Sequence, residues 1–119
     1  MNSPYRYIVN PAVITGGTYD SITKLWSCML PQQIYNRRLN GLTIQGPISS
    51  KASIYLGVVN PANLIDTTQR GNSNTADYSG GPYIIQQNNF VVVQWTPLGS
   101  NIFTGLETVT CTFRVEQVD

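Results

Sequence analysis

Histidine is absent from the chain. With it go the Ser-His-Asp and Cys-His arrangements, the commonest zinc ligand and the commonest general base. Charge is nearly as scarce: Asp, Glu, Lys and Arg make up 11% of the 119 residues, against about 25% in an average soluble domain. A catalyst would have to be assembled from six carboxylates. Glu107, Glu116 and Asp119 fall on or beside the exposed row of the last expected strand, and Asp20 sits in a Gly-Gly-Thr-Tyr-Asp-Ser turn. Asp66 and Asp77 are the pair that could converge. Neither shows the spacing of a glycosidase pair or a calcium loop, and turn-forming Asp is the ordinary alternative. The expectation is no catalytic residue, no metal and no cofactor.

Other absences narrow the field further. No apolar run approaches the roughly 18–20 residues of a membrane helix, and the start lacks the charged-then-apolar pattern of a secretion signal. Seven basic residues are scattered, with only Arg37 and Arg38 adjacent, so the many simultaneous phosphate contacts of nucleic-acid binding are not on offer. The two cysteines, Cys28 and Cys111, match no C-x-x-C spacing. Buried free thiols are the default for them; a disulfide between neighbouring strands would have to meet strict distance limits.

Neutral polar residues replace the missing charge. Thr, Asn, Ser and Gln number 12, 11, 9 and 8, or 40 of 119. Thr favours strands, while Asn, Ser and Gly favour turns and bulges. Strict alternation over Thr108–Glu116 predicts a strand with Val109, Cys111, Phe113 and Val115 inward. A second run, Ala52–Val58, places Ala52, Ile54, Leu56 and Val58 on one row. Phe90–Thr96 is more continuously apolar and reads as a central strand buried on both faces, stopped by Pro97. Tyr83–Gln86 reads as its hairpin partner or as a short edge strand. Ile22–Leu30 reads as a strand in preference to a short helix. Arg38–Gln45 surrounds an Asn40-Gly41 turn signal, and Tyr5–Val9 is one more candidate.

The sum is an all-β, single-domain antiparallel β-sandwich over 1–119, jelly-roll or Ig-like, with seven to nine short strands. Residues 1–11 form either the first strand or an N-terminal arm that docks on a partner. Residues 60–82 read as one long loop. Connections beyond about 12–15 residues are uncommon and are functional or disordered. Candidate partner contacts are therefore Tyr5, Arg6 and Tyr7 in the arm, and Arg70, Asn72, Asn74, Asp77 and Tyr78 in the loop. Net charge of +1 leaves little mutual repulsion between copies and favours association.

Trp26 and Trp95 lie in apolar strands and read as core. Tyr5, Tyr7, Tyr19, Tyr35 and Tyr78 are the better surface candidates, and exposed rings of this kind can stack on sugars. Against catalysis, then, stand two kinds of adhesive protein: one that binds other proteins, and one that binds a receptor or glycan.

Residues Ile54–Asp66, then Arg70-Gly71 and Ala76-Asp77, then Phe90–Trp95, carry a resemblance. Together they are similar in style to the small β-rich structural proteins of tailed bacteriophage virions, especially head decoration or cement proteins. The resemblance implies a homotrimeric β-sandwich on the outer surface of the virion capsid. Its partner would be the major capsid protein or another virion protein, with no nucleic acid and no membrane involved. A tail or adsorption module that binds a receptor or glycan is the alternative.

Overall fold

A computed structural model describes residues 12–118. The suggested strand Tyr5–Val9 and the arm contacts Tyr5, Arg6 and Tyr7 lie outside the described residues.

The alternation after Thr108 becomes the longest strand but one, β10 (Thr110–Val118), counting strands in chain order. Cys111, Phe113 and Val115 are buried, as is Val109 just before the strand, while Thr110, Thr112 and Arg114 on the other parity are half-exposed. One side of β10 pairs with β1 (Val13–Gly16), the other with β4 (Asn36–Gln45). The far side of β4 takes β7 (Ser73–Asp77) and β8 (Tyr83–Ile85) one after the other. A second sheet runs β2 (Thr18–Asp20), β3 (Leu25–Leu30), β9 (Val91–Pro97), β5 (Ser50–Leu56) and β6 (Leu64–Thr68). Every pairing is antiparallel.

Inner rows of both sheets meet in one core, with Leu39, Leu42, Ile44 and Phe113 from the first and Leu30, Ile54, Val93 and Trp95 from the second. Each such side chain, fully buried, contributes roughly 1.5–3 kcal/mol. The protein is thus all-β, an antiparallel sandwich. Its ten described strands exceed the seven to nine expected.

Glycines let the chain change sheets at one end. Between β1 and β2, the Gly17 N–H donates to the Val109 carbonyl at 2.7 Å, and a Cβ there would lie 2.6 Å from Val109 Cβ. The β4–β5 and β6–β7 crossings pass at Gly46 and Gly71. Both press on the Trp95 indole so closely that neither has room for a Cβ. Trp95 Nε1 donates to the Gly71 carbonyl at 2.8 Å. This is the Trp95 end; the connections between β3 and β4, β5 and β6, and β8 and β9 lie at the other, beside the buried Arg37.

Several expectations change. The 60–82 loop holds a 3-10 turn (Pro61–Asn63), β6 and β7. The signal was faint because the β7 row facing the core is Asn74 and Ala76, half-buried at the sheet edge, where little apolar burial is needed. Tyr83–Ile85 pairs with β4, not with β9, so it is an edge strand and not a hairpin arm. Strand β9 is central but buried on one face; Val92, Gln94 and Thr96 are half-exposed. Strand β5 ends at Leu56, leaving Val58 exposed, and Ile22 and Lys24 belong to the turn before β3.

Asn40-Gly41 is not a turn. Strand β4 runs straight through it, with Gly41 opposite Arg114 and Leu39 opposite Val115. Asn40 is the extra residue of a β-bulge. The Arg114 guanidinium lies across Gly41, donating to Thr43 Oγ1 at 3.0 Å and to the Ala76 carbonyl at 2.8 Å. A Cβ at 41 would collide with it. Gly41→Ala should therefore cost roughly 1–3 kcal/mol in urea unfolding. Gly80→Ala, with open space around it, should stay within about 0.5 kcal/mol. Equal effects would refute this account of the bulge.

Candidate functional site

The candidate contacts of the 60–82 region do not form one surface. Arg70 and Asn72 are exposed on the β6–β7 crossing at the Trp95 end. Asn74 is half-buried opposite Ile44. Asp77 closes β7, and its Oδ1 accepts the Ser79 N–H at 2.9 Å. Hydrogen bonds from Ser79 hold that carboxyl below its ordinary range.

Tyr78 is half-buried and committed to the fold. Its hydroxyl donates to Asp66 Oδ2 at 2.6 Å, and its ring meets Tyr83 edge-on at 5.0 Å. Tyr83 in turn donates to the Ile65 carbonyl at 3.2 Å. The three side chains clasp β6 of one sheet to the β7–β8 edge of the other. Burial, and then the Asp66 carboxylate, push the Tyr78 phenol far above its ordinary range. Asp66 and Asp77 are thus tied to separate partners, and no group of three His, Cys, Asp or Glu gathers as metal ligands among the described residues. Tyr78→Phe should cost about 1–2 kcal/mol in chemical denaturation. No loss of stability would mean the clasp carries nothing.

The aromatic side chains turn inward. Trp26 and Trp95 are buried, as expected, and Tyr19 and Tyr35 are half-buried. None of the described aromatics is fully exposed. Tyr19 stacks at a tilt on Trp26, 5.2 Å between ring centres, and donates to the Phe103 carbonyl at 3.1 Å. Trp26 Nε1 donates to Glu107 Oε1 at 2.9 Å. Glu107 also gathers the Thr104 and Gly105 N–H groups, each at 2.9 Å. Burial pushes its carboxyl up, but the hydrogen bonds from Thr104, Trp26 and Gly105 outweigh it and bring the group down to about 2.

A depressed folded-state value means that stability is present above the ordinary 4.5 and is lost as pH falls from there towards about 2. The thermal stability of the wild type should therefore exceed that of Glu107→Gln at neutral pH, and the gap should close across that window. A gap independent of pH would contradict the assignment.

Other polar groups are settled in the same way, with one exception among the described residues: Arg37 Nε is buried without a hydrogen-bond partner. Arg38 pairs with Glu116 at 2.9 Å on the outer face, while Arg37 turns inward, buried, and donates to the Asn89 carbonyl at 3.0 Å. The adjacent arginines therefore make no basic patch. Cys28 and Cys111 are free and buried. Burial pushes the Cys28 thiol up to about 11 and Cys111 further, and both stay protonated and unreactive.

What sequence reasoning missed is a set of aliphatics in water. Four, Ile34, Val58, Val59 and Leu64, lie on or beside the connections at the Arg37 end, and five lie on the connections at the Trp95 end. Ile22 (89% exposed), Ile48 (81%), Ile102 (69%) and Leu106 (90%) stand almost free, with Leu98 beside them at 41%. Their signal was present: Pro47-Ile48, Leu98-Gly99 and Gly105-Leu106 set large apolar residues beside turn formers, where no core row can take them.

No family model, no curated protein and no solved structure matches the chain.

Proposed function

We propose that the protein is a non-catalytic assembly protein, and within that class a virion component that decorates or cements a capsid by protein–protein contacts. The observation that carries this reading is the set of aliphatics exposed on the connections, five at the Trp95 end and four at the other. Apolar residues scattered singly over a surface need no explanation, but several on adjoining loops mark an interaction surface. Scarce charge points the same way, since it removes the repulsion that keeps copies and partners apart.

Strand order adds support. With β2 set aside as the edge hairpin partner of β3, and β8 taken as an extension of β7, the sheets read β1-β10-β4-β7 against β3-β9-β5-β6. That order has the form of two interlocked Greek keys and favours the jelly-roll reading over the Ig-like one. Jelly rolls build viral capsid and lectin domains, but a fold alone assigns no function. The glycan reading needs an exposed aromatic platform, and the described tyrosines supply none.

The test is reconstitution. Light scattering should find a compact homo-oligomer, with a trimer expected. The protein should bind virus particles stripped of it, through the major capsid protein, and restore their resistance to heat. A monomer that leaves stripped particles bare would overturn the virion reading.

A further inference from the structure

We propose that the Trp95 end is the docking face, and that it fits a protein surface with an apolar centre and an acidic rim. This rests on the assembly reading above and gives it a location and a chemistry.

Four connections build the face, and each is held in place. The turn carrying Ile22 is closed by Asp20, whose Oδ1 accepts the Ile22 N–H at 2.8 Å and whose carbonyl accepts the Lys24 N–H at 2.6 Å. The Leu98 N–H donates to the Ser49 carbonyl at 2.8 Å, joining the Ile48 and Leu98 connections. The segment with Ile102 and Leu106 is fixed to the β2–β3 hairpin through Phe103, Tyr19, Trp26 and Glu107. Arg70 is anchored through its neighbour Gly71, whose N–H donates to the Ser50 carbonyl at 2.8 Å. Apolar side chains on pinned loops lose little freedom on binding, which favours affinity.

Charge decides the partner. Every described acidic side chain accepts hydrogen bonds from within the fold, but only Glu116 is paired with a cation, so Asp20 and Glu107 keep two negative charges at this end. Among the described cations, Arg37, Arg38 and Arg114 are likewise engaged. Lys24, Lys51 and Arg70 remain, with no side-chain hydrogen bond or ion pair among the described residues. All three lie at or beside the Trp95 end, where they outnumber Asp20 and Glu107 by one. Acidic groups on a partner would complement this excess. A membrane-inserting tip would show Trp or Tyr at its rim, whereas Trp26 and Trp95 are buried and Tyr19 is half-buried.

A random-peptide display library panned on the intact protein tests the idea. Enriched peptides should combine apolar residues with flanking Asp or Glu. Ile48→Ser with Leu106→Ser should weaken them at least about tenfold. Lys24→Glu with Arg70→Glu should weaken them about fivefold and flatten their salt dependence. Both variants should keep the wild-type melting temperature. No enrichment, peptides without acidic residues, or binding indifferent to both variants would overturn the proposal.

Two further results would overturn it in favour of another occupant. One is self-association in sedimentation that is lost in Ile48→Ser with Leu106→Ser. The other is flotation with phosphatidylserine vesicles lost in the same variant. If that variant still binds stripped particles like wild type, the face is wrong and the assembly reading stands. If wild type fails to bind them, the assembly reading itself fails.

Discussion

The constraint on which most of the structure depends is the fit of two chain crossings around the Trp95 indole. A β-sandwich whose strands alternate between sheets must turn corners, and corners bring backbone close to core. Here the β4–β5 and β6–β7 crossings both lean on one buried ring, which only glycine at 46 and 71 permits. The hydrogen bond from Trp95 Nε1 to the Gly71 carbonyl satisfies a donor that burial would otherwise strand. Ser50 adds to the same knot, its hydroxyl donating to the Pro47 carbonyl at 2.6 Å. That arrangement sets the positions of Ile48 and Arg70 as surely as it sets the core.

Much of the fold was legible because alternation reports burial on one face. The rows of β5 and β10, and the core placement of Trp26, Trp95, Cys28 and Cys111, could be read from residue order alone. Legibility failed where burial was partial. Strand β7 needs no apolar row at a sheet edge, so Ser73–Asp77 looked like loop. Asn40-Gly41 carries the same residues as a hairpin turn, but the glycine serves the passage of Arg114, a contact between residues 73 positions apart that no local pattern displays.

The candidate site was less legible for a related reason. Tyr78, Asp66 and Asp77 were conspicuous in a polar stretch, yet Tyr78 and Asp66 are used to join the two sheets at their open side. A residue type enriched in interfaces is also well suited to closing an edge, since a tyrosine buries its ring and keeps a hydrogen bond. Ile22, Ile48 and Leu106, by contrast, were inconspicuous among turn residues. Only a three-dimensional arrangement reveals that the turns holding them share one end.

The broad faces of the sandwich make poor competitors for that end. On the outer side of the first sheet, Arg38 and Asn40 both reach Glu116, Arg114 spans Thr43 and the Ala76 carbonyl, and Thr43 meets Thr75 at 3.2 Å. A partner landing there would have to break or desolvate groups that already satisfy one another, and imperfect re-pairing costs affinity. At the Trp95 end Ile22, Ile48, Ile102 and Leu106 face out among exposed polar residues such as Ser49, Asn72 and Asn101, and Lys24, Lys51 and Arg70 are unpartnered among the described residues. Binding there removes apolar area from water and gains ion pairs without dismantling any. The opposite end also exposes aliphatics, Ile34, Val58, Val59 and Leu64, so what sets the Trp95 end apart is the cations Lys24, Lys51 and Arg70 beside its own.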